Sequence, residues 1–328
     1  MSTHGEGPLA NSLSLYLAHK RALGKRLEKT EPTLRLLDDH LAEQEIGDLS
    51  QITAAHLEGF LNSRPRRSAR SYNELLGMVR RLFDWLVRQE KLAASPLQCS
   101  PRRVPSGPRP FLFSPDQIRC VLDLARQLRR NPRVPDRGET YRMIFVLLFG
   151  LGLRVGEACR LQRQDLDLDR QLLVIRKTKF GKSRLVPFGP RMGREISNYL
   201  QHAEARCGAI SPEYPLFSFD KDKRRPLRPT TISRIFHDLV VQLNLTIPAG
   251  VAPPHLHCLR HSFAVATLLR WYRTGVDPMT RLLDLSTFLG HVSPSSTAVY
   301  LTITSELLEC AGQRFAQFAA GSRKEGIR

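Results

Sequence analysis

The chain has 328 residues, 41% of them hydrophobic, with 50 Lys and Arg against 31 Asp and Glu for a formal charge of +19. That length permits two or three domains with sizeable cores, and no apolar run approaches the roughly 20 residues a membrane helix needs, which excludes a mostly disordered chain and a membrane span. So basic a surface attracts polyanions and binds them in a salt-dependent way through counterion release, so nucleic acid is the expected partner, ahead of an anionic membrane or the ribosome.

The start, Met1 to Lys20, lacks the basic region followed by an apolar core that marks an export signal. Six cysteines, at 99, 120, 159, 207, 258 and 310, are scattered without a CxxC pair. Together these predict reduced thiols and a cytoplasmic, nucleoid-associated protein. The charge is uneven: 17 Lys and Arg face 12 Asp and Glu up to Pro110, and 33 face 19 beyond it.

From Leu9 to about Leu92 apolar residues recur at helical spacing: Leu13, Tyr16 and Leu17, then Leu34, Leu37 and Leu41, then Leu57, Phe60 and Leu61, then Leu75 to Leu86. With turn-like breaks at Asp48 to Thr53 and Arg64 to Ser68, this predicts a small bundle of four helices. The last helix carries Arg70, Arg80, Arg81 and Arg88, and Arg64, Arg66 and Arg67 precede it. A charge run is ordinarily a solvated face, but here few acids balance it, so contact with a DNA backbone is the expectation.

Pro101 to Pro110 (PRRVPSGPRP) has no apolar periodicity and reads as an extended linker whose Arg102 and Arg103 can follow a phosphate backbone. The expected plan is a helical DNA-binding domain over 1–100, a linker over 101–112 and a second domain over 113–328. Ser114-Pro115 starts a helix, and Tyr141 to Gly152 (YRMIFVLLFGLG) is a buried helix that delivers Arg154 to its end, with another helix from about Val155. Leu172 to Ile175 and Leu185 to Phe188 predict a β-hairpin tipped by Lys177, Lys179, Lys182 and Arg184, suited to a DNA groove. A second basic cluster, Lys221 to Arg228, offers Arg224 and Arg225 as further DNA contacts and precedes a helix from Pro229. Helices are then predicted from about His257 to Tyr272, from Met279 to Leu289 and across Ser295 to Tyr300, with an amphipathic tail helix over Ser305 to Ala320.

Several of these residues have the parts for phosphodiester chemistry. A phosphodiester repels nucleophiles, so donors must face its non-bridging oxygens, and the planar fork of arginine matches two of them. Arg154 and Arg260 fit that role. Tyr300 is the candidate nucleophile, because a phenolate can displace a deoxyribose oxygen reversibly and keep the bond energy in a phosphotyrosyl ester. With an ordinary pKa of about 10 it needs help from an imidazole or a cationic pocket. His257 fits as base or hydrogen-bonding partner and His291 as a donor to the phosphate. Lys179 can protonate the departing oxygen, with Lys177 and Lys182 as competing choices.

The stretches GLRVGEACRLQRQDLD around Arg154, KTKFGKSRLVPF around Lys179, HLHCLRHSFA around His257 and Arg260, and LGHVSPSSTAVYL around His291 and Tyr300 resemble the tyrosine recombinase (phage integrase) family. Glu157 matches the acidic position that the family places beside its first arginine, and His261 is expected as packing or support behind the catalytic set. The resemblance implies a mainly α fold with a small β-sheet: a helical core-binding domain and a mixed α/β catalytic domain closing round DNA as a clamp. It implies strand cleavage to a 3′-phosphotyrosine, exchange through a Holliday junction and religation, without cofactor, metal or ATP. It further implies a homotetramer on synapsed double-stranded DNA, with exchange of tail helices and room for accessory recombinases. Two features depart from the pattern: His255-x-His257 doubles the usual single His, and Trp271 to Phe288 is longer than the compact family form.

Three other readings compete. His255, His257, Cys258 and His261 could hold a zinc ion, but third and fourth ligands at usable spacing are missing. A catalytically inactive accessory DNA-binding protein fits poorly with an intact set of six catalytic residues. A tyrosine-type DNA topoisomerase shares the chemistry but not the tail suited to exchange between protomers. With no obvious extra N-terminal arm-binding domain, an integrase or transposase of a mobile element is the expected role.

Overall fold

The computed structural model describes residues 7–25, 27–105, 107–129, 134, 136–176, 183–208, 210–219, 225–303, 306–307, 309 and 311–313. It divides into two compact units, Met1–Gly107 and Pro108–Arg328, with the boundary inside the stretch expected to be a linker.

Among the described residues the first unit has four α-helices: α1 Ala10–Ala22, α2 Thr30–Ala42, α3 Ala54–Asn62 and α4 Ala69–Arg88. Their buried faces are the apolar stripes of the sequence, with Leu34, Leu37, Leu41, Leu57, Phe60 and Leu82 at or near zero exposure. Each such side chain contributes roughly 1.5–3 kcal/mol of burial. Caps mark the breaks: Ser68 Oγ accepts from Ser71 N (3.2 Å) at the start of α4, and Asp48 Oδ1 accepts from Ser50 N (2.8 Å) ahead of a 3-10 turn.

The second unit holds α5 Pro115–Arg126, α6 Arg137–Gly150, α7 Val155–Arg160, α8 Pro190–Cys207, α9 Pro229–Gln242, α10 Cys258–Arg273, α11 Pro278–Leu289 and the short α12 Ser295–Ala298, which runs into a 3-10 turn over Val299–Thr302. Strands β1 Leu166–Asp167, β2 Leu172–Ile175 and β3 Arg184–Pro187 form one antiparallel sheet in the order β1-β2-β3, with Leu173 opposite Val186. The fold is therefore mainly helical with a small sheet, as expected. Ser114 makes the capping box anticipated for α5, and α6 is buried along most of its length.

The apolar periodicities do not anticipate β1 or α8. Strand β1 is only two residues long, and α8 buries a sparse stripe of Ile196, Leu200 and Ala203 among polar residues. Behind the C-terminal helices Ala264, Val265, Leu268, Leu285, Leu289, Tyr300, Ile303 and Leu307 form a smaller core of their own. Most of the expected tail helix, and the hairpin tip with Lys177, Lys179 and Lys182, lie outside the described residues, as does Arg224. Among the described residues no helix is long and apolar enough to cross a membrane.

Candidate active site

The site is built on the C-terminal end of α11. The last carbonyls of a helix lack intrahelical partners and carry its negative end, so cations gather there. Three arginines from three distant segments do so. Arg184 Nε donates to Phe288 O (2.9 Å), Arg260 Nη2 to Leu289 O (2.8 Å) and Arg154 Nη2 to Gly290 O (2.9 Å). Gly290 closes the helix in the left-handed region (φ +68°), and a Cβ there would lie 2.7 Å from Arg184 Nη1. His291 N donates back to Ser286 O (2.9 Å), which fixes where His291 leaves the helix.

Glu157 joins two of these arginines. It is buried on α7, accepts both Nη atoms of Arg184 (2.8 and 2.9 Å), and accepts Arg154 Nη1 and the Arg154 backbone N–H at 2.9 Å each. Burial alone would raise its pKa, but the Arg184 fork and Arg154 outweigh it and bring it down to about 2. This placement corrects the expectation of Arg184 as a DNA contact. Its side chain is 10% exposed, and its donors are taken by Glu157 and Phe288 O. The sequence signal misled because the hairpin's basic run hides which of its charges lies on the strand and turns inward.

Arg260 is the most deeply set of the three, 1% exposed on α10. Its Nη1 donates to Gly152 O (2.5 Å) at the end of α6, where a Cβ on Gly152 (φ +59°) would lie 2.6 Å from Phe263 and 2.8 Å from Leu289. Its Nε is buried and makes no hydrogen bond among the described residues. Burial and the neighbouring Arg154 lower its pKa to about 10, which leaves it charged at neutral pH. A buried, charged N–H without a partner costs stability, so its presence marks a place for an anion.

Tyr300 lies on the 3-10 turn, 4% exposed. Burial raises its pKa, while Arg260 and Arg154 pull it down. Its hydroxyl lies 2.9 Å from His261 Nδ1, and its ring stacks on His291 with centroids 6.3 Å apart. His291 Nδ1 is in turn 2.6 Å from Thr297 Oγ1, which leaves Nε2 as its available nitrogen. Burial and then Arg260 and Arg154 lower the His291 pKa to about 4, so the ring is neutral and can donate one hydrogen bond. Thr297 was not legible from the sequence, since a threonine six residues after a histidine carries no motif.

His257 stands at the N-cap position of α10, without a side-chain capping bond, and remains exposed. The protein packed around it, with His261 and Arg260, lowers its pKa, an effect water moderates at an exposed ring. It meets His261 edge-on at 4.7 Å, and no hydrogen bond joins it to Tyr300. His255 Nδ1 lies 3.0 Å from Cys258 Sγ, so the histidines and cysteine of this box turn to different partners. The residues Arg154, Glu157, Arg260, His261, His291 and Tyr300 are thus brought together, with His257 beside them.

In the first unit Arg66, Arg67, Arg70 and Arg81 are exposed, and Arg80 donates to Cys99 O (2.8 Å). Arg102 stacks on Tyr72, its guanidinium carbon 3.8 Å from the ring centroid, while Arg103 and Arg225 are exposed.

A buried arginine with a free N–H, a second arginine beside it, neutral histidines and a tyrosine hydroxyl form a pocket suited to a phosphate. Residues 115–306 match the Phage integrase family and residues 31–90 match the Phage integrase, N-terminal SAM-like domain. The chain belongs to the phage integrase family of tyrosine recombinases. It is 35% identical to a Sinorhizobium fredii protein given the name integrase/recombinase y4rB, over 91% of this chain and 94% of that one. It is 30% identical to tyrosine recombinase XerA of Thermococcus kodakarensis, over 82% of this chain and 83% of the relative. In fold it is similar to a lambda integrase dimer bound to a COC′ core site, with a TM-score of 0.62 and 18% identity, covering 91% of this chain and 78% of that chain.

Proposed function

We propose that this recombinase cleaves double-stranded DNA by attack of Tyr300 on a scissile phosphate, forming a 3′-phosphotyrosyl ester and a free 5′-hydroxyl. One observation carries the assignment: the buried Nε of Arg260, which no described residue accepts from, on an arginine whose charge and hydrogen bonding also pull down the Tyr300 pKa. Arg154 and Arg260, fixed from behind by helix-end carbonyls, receive the non-bridging oxygens with little reorganisation. His291 adds a neutral donor, and Lys179 protonates the departing 5′-oxygen. His257, on the exposed rim, contacts the phosphate or its sugar.

Because all charge on the phosphate is met by side chains, the reaction runs without metal or ATP. Strands exchange through a Holliday junction in a tetramer, with the tail helix passing between protomers. The DNA-bound lambda integrase dimer of similar fold and the integrase/recombinase relative support this reading, with integration of a mobile element in the cytoplasm as the biological setting. Exposed Arg66, Arg67, Arg70, Arg81, Arg102, Arg103 and Arg225, with Arg80, Lys177, Lys182 and Arg224, track the DNA backbone.

The test uses a nicked suicide duplex carrying the chain's recombination site, selected from a random duplex pool. Wild type accumulates a covalent adduct on a denaturing gel, in the presence of chelator, and Tyr300→Phe does not. An adduct from Tyr300→Phe removes Tyr300 as nucleophile.

A further inference from the structure

We infer that His261 accepts the proton of Tyr300 as the phenol attacks phosphorus. The inference rests on Tyr300 being the nucleophile. His257 leads the His-x-x-Arg box, yet the structure gives the contact to His261, one helical turn further on. His261 Nδ1 lies 2.9 Å from Tyr300 Oη, and the ring centroids are 5.5 Å apart.

The surroundings favour one direction for that hydrogen bond, with Tyr300 donating. Arg260 and Arg154, whose charges pull down the Tyr300 pKa, are donors only and can take no proton from it. The Tyr300 hydrogen therefore needs an acceptor, and among the described residues Nδ1 of His261 is the one in reach. Burial, and then His255 and Arg260, hold the His261 pKa down to about 4, so its ring is neutral at physiological pH and has a lone pair to offer. His257 stands edge-on against it at 88°, which keeps the imidazole from turning away.

The same low basicity keeps the proton on Tyr300 at rest, so the dense cationic site does not ionise a nucleophile with no substrate to attack. Transfer belongs to the attack itself, when a bound phosphodiester offsets the positive charge of Arg154 and Arg260. The Oη–H bond then breaks and its proton passes to His261 Nδ1, while the oxygen's electron pair forms the bond to phosphorus. The P–O5′ bond breaks, and its pair leaves on the 5′-oxygen, which is protonated separately. In religation the 5′-hydroxyl attacks and His261 returns its proton to Tyr300. That makes His261 a catalytic residue and leaves His257 to the substrate's side of the site.

Site-specific incorporation of 3,5-difluorotyrosine at position 300 supplies a more acidic phenol that needs less help from a base. On the suicide duplex, His261→Ala and His261→Asn should slow adduct formation by about 10²–10⁴-fold, the scale of general-base loss. Difluorotyrosine should recover at least tenfold of that loss, while leaving a His257→Ala defect in place. An unchanged defect in the His261 variants, recovery in His257→Ala instead, or faster cleavage by His261→Ala would each overturn the assignment, the last because it would make His261 a restraint on Tyr300. Duplex binding by gel shift separates a folded variant from a misfolded one, and His261→Asn keeps the test open if His261→Ala fails to fold. Adduct formation by Tyr300→Phe would instead remove the nucleophile reading itself.

Discussion

The two units use the same residue, arginine, in opposite ways. In the first, Arg66, Arg67 and Arg70 stand exposed at the start of α4. In the second, Arg154, Arg184 and Arg260 are drawn inward until Arg260 is among the largest fully buried side chains of the protein. What differs is the supply of acceptors. Arg66, Arg67 and Arg70 meet no acceptor among the described residues, whereas the second unit presents the open carbonyls of α6 and α11 and the buried carboxylate of Glu157. Buried charge is tolerable only where such partners exist, and here they are spent so that one N–H of Arg260 is left over.

Arg260 is where this contrast is broken most visibly. Its replacement by Lys keeps a charge but loses the fork that bonds Gly152 O and Leu289 O while leaving Nε free. Arg260→Lys should therefore reduce adduct formation by about 10²–10³-fold, the usual cost of one preorganised oxyanion donor. Duplex binding should change far less. Single-turnover cleavage beside a gel shift measures both, and wild-type cleavage by Arg260→Lys would show that a point charge suffices.

The sequence shows the arginines but not where they turn. Helical stripes such as Leu75 to Leu86 made the first unit legible, because a 3.6-residue period marks which face is buried. Arg154, Arg260 and Tyr300 were legible from residue type, order and family resemblance. The contacts of Arg184 and His261 were not legible, since they are long-range: Arg184 to Glu157, 27 residues earlier, and His261 to Tyr300, 39 residues later. Nothing local to KSRLVP distinguishes an arginine that folds inward from one that reaches out.

The Glu157 to Arg184 pair gives the next largest effect, and it falls on stability. Glu157→Gln leaves Arg184 buried beside a neutral amide, which should cost roughly 3–5 kcal/mol, as removal of one partner from a buried pair does. The pH dependence has a defined sign. Glu157 has a folded pKa of about 2, below its ordinary 4.5, so it stabilises fully above about pH 4.5 and loses this contribution as pH falls toward 2. Urea melts across that range should show wild type losing stability that Glu157→Gln never had. A flat difference between the two proteins would mean the carboxylate is not held by its arginines.

The smallest effect should come from the exposed arginines, and it completes the contrast by inverting the readout. Arg66→Ala, Arg67→Ala and Arg70→Ala should each change stability by no more than about 0.5 kcal/mol, the ordinary range for surface substitutions. Each that meets a phosphate should flatten the slope of log affinity against log salt by roughly 1. Arg184→Ala should do the reverse, lowering stability while leaving the salt slope alone, because its charge is already neutralised by Glu157. Fluorescence anisotropy on the duplex over a salt series, paired with urea melts, reads both quantities. A salt slope that drops with Arg184→Ala would return that residue to the DNA surface and dissolve the division between the two sets of arginines.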